Sequence, residues 1–131
     1  MLHPNQFSPN DAWILFRLND APVVTEQDGD FDVLCLMDAA SCYILGNDFV
    51  PILDIVDPVP IAARLLASAQ KQAGCFPKKL VISDEFESGQ FGPIAKEIDA
   101  ELASYGDKIL APFVSEAKEG FLTHVAGSRR Q

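Results

Sequence analysis

Asp84 and Glu85 stand where a short apolar run, Leu80 to Ser83, gives way to an acidic turn punctuated by Gly89 and Gly92. Read as a strand, that run sets both carboxylates at its carboxyl end, and in open α/β sheets ligands gather in the crevice outside such ends. Carboxylates there can hold a divalent cation, so metal-assisted chemistry is the first candidate. The competing role is local, since acids ahead of a helix gain about 0.3–1 kcal/mol from its first amides and its macrodipole. Elsewhere the chain offers less. The run Glu26 to Asp32 alternates carboxylates, but a calcium loop opening at Asp28 needs Gly where Val33 stands and Glu where Ala39 stands, so it reads as a solvated loop. Asp38 reads as a turn residue that accepts from its own backbone. His3 and His124 lie near the two ends, with no zinc-ligand spacing to a Cys or to each other. No Gly-x-Ser-x-Gly elbow occurs, and the eight glycines form no phosphate cradle.

The elements that must position these residues follow from periodicity. Ala12 to Leu18 is apolar apart from Arg17, which suits a strand covered on both faces. Asp32 to Met37 and Tyr43 to Val50 read as a hairpin around the turn Asp38 to Cys42. Pro58 and Pro60 precede a helix in which Ile61, Leu65, Leu66 and Ala69 share a face, with Gly74 as its stop. After the strand Leu80 to Ser83, the spacing of Ile94, Ile98, Leu102 and Tyr105 predicts a second helix from Pro93 to Gly106. Ile109 to Val114 then reads as a last strand, placed at an edge by Pro112, and Ser115 to Ala126 as one short helix. Three strands on short links favour an antiparallel meander, and helix-linked strands lie parallel. The expected fold is α/β: a mixed five-stranded sheet, a three-strand antiparallel meander plus two parallel strands, with helices on its faces. It forms a single domain over residues 1–131, with 1–10 and 127–131 flexible.

Composition narrows the function. With 131 residues and 48% apolar content, the chain is long enough to bury roughly 65–70% of its unfolded surface in one core. Nineteen acidic against ten basic side chains give a net charge of −9, which repels phosphate backbones and anionic membranes. Nucleic acid and membrane are therefore disfavoured as partners. Cys35, Cys42 and Cys75 are an odd set, partly within apolar runs, which points to a reducing cytosol and no disulfide. No apolar run reaches the ~20 residues that span a bilayer, and the amino terminus lacks signal-peptide character, so a cytoplasmic protein is expected.

The element order and landmarks resemble the ribonuclease H-like superfamily, and from Trp13 to about Glu119 an integrase or transposase catalytic core. The hairpin Leu36-Met-Asp-Ala-Ala-Ser-Cys-Tyr-Ile-Leu-Gly46 is similar to the family's acid, Ser and Gly-ended return strand, and Ser83-Asp84 through Phe91 to its second acidic motif. The resemblance implies metal ligands at Asp84 and at a third acid some thirty-five residues on, where Glu119 falls, with Glu116 nearby. It also implies an acid three residues after Trp. That position is Phe16, no Asp or Glu occurs from Ala12 through Asn19, and Asp20 comes four positions late. Two-metal phosphoryl transfer needs oxygen-rich side chains that converge on both ions.

Two functions are therefore weighed. The leading expectation is a non-catalytic ribonuclease H-like module that binds a protein or assembles with itself, as a homodimer for instance, and carries no cofactor. The alternative is a Mg- or Mn-dependent nuclease or polynucleotidyl transferase with Asp84 and Glu119 catalytic and Asp84, Asp20 and Glu119 as metal ligands. Nine phenylalanines are many for this length, and Phe76, Phe86, Phe91 and Phe121 fall in turns or near element ends. Exposed together they would mark a partner surface.

Overall fold

A computed structural model of the chain describes residues 2–19, 30–51 and 57–129, with side-chain surroundings through residue 123. Strand β1 (Ala12–Arg17) is buried except at Arg17. Strands β2 (Phe31–Asp38) and β3 (Ile44–Pro51) follow antiparallel, with Leu15 opposite Leu36 and Val33 opposite Phe49, and a bulge interrupts the second ladder at Leu36/Met37. Helix α1 (Pro58–Ala73) crosses to β4 (Lys79–Ser83), which lies parallel beside β1 with Ile82 opposite Leu15. A 3-10 turn (Ser88–Phe91) and the short helix α2 (Gly92–Glu97) lead to β5 (Glu101–Tyr105), parallel to β4, and α3 (Asp107–Arg129) closes the chain. The sheet order is β3-β2-β1-β4-β5, an antiparallel meander extended by two parallel strands as the sequence predicts.

The two-residue period of the strands divides the core into two halves. Trp13, Leu15, Leu34, Leu36, Leu80 and Ile82 face α1, α2 and Phe91. Ile14, Phe16, Val33, Cys35, Met37 and Val81 face Leu110, Phe113 and Val114 of α3. In the amino-terminal stretch Leu2 and Phe7 pack on the α3 side, and the Asn10 N–H donates to Asp38 at 2.9 Å. At the other end α3 runs through Arg129; residues 130–131 lie outside the described residues.

Helix α1 starts three residues before Ile61. The Asp57 carboxylate accepts from the Val59 N–H at 3.0 Å, and Pro58 and Pro60 occupy the first turn, where a missing N–H costs nothing. Gly74 ends it at φ 82°, a left-handed conformation that glycine adopts without penalty.

The predicted elements between Pro93 and Ala126 need correction. The helix expected from Pro93 to Gly106 stops at Glu97, because Asp99 turns left-handed at φ 57° and the Ala100 N–H closes on the Ala95 carbonyl at 2.8 Å. Leu102 and Tyr105, which fit the helical spacing, belong to β5. The run Ile109–Val114 is the first part of α3, with Pro112 inside the helix. An interior proline costs about 3 kcal/mol. Burial of Leu110, Phe113 and Val114 against the sheet, worth about 1.5–3 kcal/mol each, offsets it.

Both edges of the sheet are open strands, and β3 is blunted. The Val33 carbonyl accepts from the Leu18 N–H and the Val33 N–H donates to Asn19, both at 2.8 Å, so this residue's polar groups point toward β1. Phe49, opposite Val33, therefore turns its own N–H outward from the sheet. The Asp48 carboxylate accepts that N–H at 2.8 Å, and Pro51, which points the same way, has none to offer.

Candidate functional site

The carboxyl ends of β1 and β4 lie side by side, and the chain leaves them in opposite directions, to β2 from one and toward β5 from the other. This is the switch point at which open sheets form a crevice. Arg17 ends β1 there, the one charge in an apolar strand. Its Nε lies 3.2 Å from Glu85 and its Nη1 3.7 Å from Asp32 at the start of β2. Buried Ser83, the last residue of β4, donates to Glu85 at 2.9 Å. Buried Asn19 donates to Asp32 at 3.0 Å while its carbonyl oxygen accepts the Val33 N–H at 2.8 Å. Beside this cluster is a cavity of about 220 Å³ lined by Arg17, Asp32, Leu34, Val50, Pro58 and Phe86.

Burial raises the Glu85 carboxyl above the ordinary glutamate range, with Asp107 adding to the effect; the Ser83 hydroxyl, Arg17 and Lys118 pull it back only in part. The arrangement thus holds one guanidinium between two carboxylates, one of them reluctant to ionise. Ser83 is covered and spends its hydroxyl proton on Glu85, so it presents no nucleophile to the crevice. The cluster joins β1, β2 and β4 at their common end. Sequence reading gave Arg17 no role and Glu85 a helix-end or cation-holding one, not an ion pair; the signal was a lone arginine in an otherwise apolar strand.

The residues singled out from the sequence do not converge. The Asp84 carboxylate lies against the backbone of Gly106, where a Cβ would come within 2.9 Å of its Oδ2, and the Asp84 N–H donates to the Tyr105 carbonyl at 3.0 Å. Asp84 therefore serves the junction of β5 and α3. Phe16 is 1% exposed, packed among the apolar residues that meet α3. Glu119 is exposed on α3. Glu116 raises the Cys42 thiol after burial and Asp38 do so, which puts it at the hairpin-turn end of the sheet, away from the β4 end that carries Asp84. Asp20 lies outside the described residues. Among the described residues no three His, Cys, Asp or Glu side chains are grouped to hold a metal ion. Of the donors that the resemblance implies, those among the described residues, Asp84 and Glu119, stand in no such group.

The four phenylalanines likewise form no single surface. Phe91 is fully buried, and Phe86 packs edge-on against it with ring centroids 6.3 Å apart, both on the α1 side. Phe121 packs on the α3 side, and only Phe76 counts as exposed, at 38%. The most exposed aromatics among the described residues are Tyr43 at 64% and Phe49 at 59%, both on the β2–β3 hairpin. Asp38 is the predicted turn residue, buried, accepting from the Ser41 N–H at 3.2 Å and the Ser41 hydroxyl at 2.7 Å. All three cysteines are free, and burial lifts the Cys35 thiol to about 12, which makes it inert. Among the described residues no helix is long and apolar enough to cross a membrane.

Neither a protein-family model nor a curated protein matches the sequence. Among solved structures, the chain is similar to one in the cryo-EM structure of the simian T-cell lymphotropic virus intasome in complex with PP2A regulatory subunit B56 gamma, with a TM-score of 0.53 and 12% identity. The match covers 80% of this chain and 36% of that one, so the present chain spans about a third of its neighbour's length. The likeness is one of fold.

Proposed function

We propose that this chain is a ribonuclease H-like module without metal-dependent hydrolytic chemistry, which works in the cytoplasm by binding another protein or by self-association. The sheet order and the fold-level likeness to an intasome chain support the ribonuclease H-like reading. The observation that carries the non-catalytic reading is Phe16. It occupies the position three residues after Trp13 at which the resemblance expects an acid, and its ring is sealed between the sheet and α3. Asp84 turns to Gly106, and the remaining carboxylate of the crevice, Glu85, is engaged by Arg17 and Ser83. A net charge of −9 speaks against nucleic acid as the partner.

The test is a titration with MnCl₂ or MgCl₂ followed by thermal unfolding. A cation that binds only the folded chain must raise its melting temperature. The proposal expects no saturable rise, and none that Asp84→Asn abolishes. A saturable rise lost in Asp84→Asn, joined to cleavage of DNA or RNA, would transfer the assignment to a metal-dependent nuclease or polynucleotidyl transferase.

A further inference from the structure

The two edges of the sheet are built differently. On β3 the Asp48 carboxylate accepts the outward Phe49 N–H at 2.8 Å and Pro51 has no N–H to offer, which keeps another strand from pairing there. β5, the last strand at the other edge, contains no proline, no lysine and no bulge. Its backbone groups divide by the period of the strand. The Glu101 N–H donates to the Lys78 carbonyl at 2.8 Å, and the Tyr105 carbonyl accepts from the Asp84 N–H at 3.0 Å. Glu101, Ala103 and Tyr105 therefore turn their polar groups toward β4. Those of Leu102 and Ser104 point away from the sheet, where no described residue pairs with them. Ser104 is exposed, and Leu102 and Ala103 are only half-buried.

An unprotected edge of this kind takes up a further strand, and β5 is complementary to itself. A two-fold axis through Ala103, perpendicular to the sheet, sets the strand antiparallel to its own copy. Leu102 then faces Ser104 of the other copy, and every outward N–H of both strands finds a carbonyl. Ala103 faces Ala103 at the intervening position, where Cα atoms approach to about 4.5 Å and a small side chain fits. Glu101, the one charge in the strand, falls opposite Tyr105 and not opposite another carboxylate. Neighbouring registers fail. With the axis at Leu102, Ser104 would meet Ala100, whose N–H is spent on the Ala95 carbonyl at 2.8 Å. With the axis at Ser104, Leu102 would meet Gly106, whose carbonyl already accepts from Ile109 and Leu110 at 3.1 and 3.0 Å.

We propose that β5 pairs antiparallel with β5 of a second copy about Ala103, which joins the two sheets into one. This rests on the self-association arm of the reading above and names its surface, its partner and its register. The joint is only five residues long on each side, so the dimer is reversible and fills with rising protein concentration.

The experiment is sedimentation of the full chain from about 10 µM to 1 mM, with amide hydrogen exchange on the same samples. The expected result is a monomer–dimer equilibrium in which exchange slows selectively at Leu102 and Ser104 as the dimer fills, while Ala103, bonded to β4, is protected at every concentration. Ser104→Pro, which removes an outward donor without touching the β4 ladder, should weaken association at least tenfold. Ala103→Lys and Ala103→Glu each set like charges across the axis and should do the same alone, whereas their equal mixture should associate at least tenfold more tightly than either. Phe49→Ser, at the far edge, should change nothing. A monomer at every concentration overturns the proposal, and so does a dimer indifferent to Ser104→Pro or a Lys/Glu mixture no tighter than its components. A monomer whose Leu102 and Ser104 amides are protected only by an added extended peptide would give the edge to a foreign strand instead. The manganese titration is read separately: a metal site at Asp84 removes the non-catalytic reading whatever the oligomeric state, whereas a monomer beside a silent titration removes the β5 joint alone.

Discussion

Phe16 and Arg17 are consecutive residues of β1 that point to opposite faces of the sheet, and they have opposite surroundings. Phe16 lies in hydrocarbon between β2, β4 and α3. Arg17 ends the other face in a cluster of polar side chains beside a cavity. One step along a strand thus separates pure packing from a cluster of charged side chains at the switch point. One face of the strand carries packing alone, while the charged crevice on the other holds the strand ends together.

The comparison is broken most severely at Phe16. Phe16→Ala should cost about 3–5 kcal/mol of unfolding free energy in urea titrations. Phe16→Asp, which supplies the acid that the resemblance implies, should cost at least as much, because it buries an unpaired charge. A folded Phe16→Asp protein that binds manganese together with Asp84 would show that hydrocarbon at this site is a substitution the scaffold can reverse.

At Arg17 the expected effect is smaller. Arg17→Met keeps the stem but leaves Glu85 and Asp32 without their cation, and about 1–2 kcal/mol should be lost at pH 7, discounted because the guanidinium is a third exposed. The loss should shrink in acid, where Glu85 takes up a proton and no longer needs the pairing.

Glu85 sharpens the contrast through pH. Its folded carboxyl titrates above the unfolded one, so between the two the native state holds more protons and stability falls as pH rises. The penalty is absent below the ordinary glutamate range and complete above the raised folded value. Glu85→Gln should flatten this slope, measured as melting temperature from pH 4 to 8, whereas Glu87→Gln, at an exposed position, should leave it intact. The smallest effect is expected at Gly106→Ala. Its new methyl meets the flexible end of Asp84, so the cost should stay under about 1 kcal/mol and vanish in an Asp84→Ala background, as a double-mutant cycle would report.

The sheet was largely legible in the sequence because its signals are local. The Asp38 turn, the two apolar runs beside it and the unbroken apolar run of β1 each specify structure from within a few residues. The second half misled because short apolar runs fit either period. Leu102 matches the helical spacing of Ile94 and Ile98, yet Asp99 can turn left-handed and release a five-residue strand to lie beside β4. Pro112 argued for an edge strand, yet three large buried neighbours outweigh its cost inside α3. At the site, Phe16 could be read from its distance to Trp13. Arg17, Glu85 and Asp32 come together only through sheet pairing, which no local pattern reveals.

The Asn10 amide donates to the buried carboxylate of Asp38, which also accepts twice from Ser41. Shortening the protein from its amino end is therefore not a harmless trim. Once the cut passes Asn10, a buried carboxylate of the hairpin loses a donor, and damage should register first at the bend between β2 and β3, twenty-eight positions downstream.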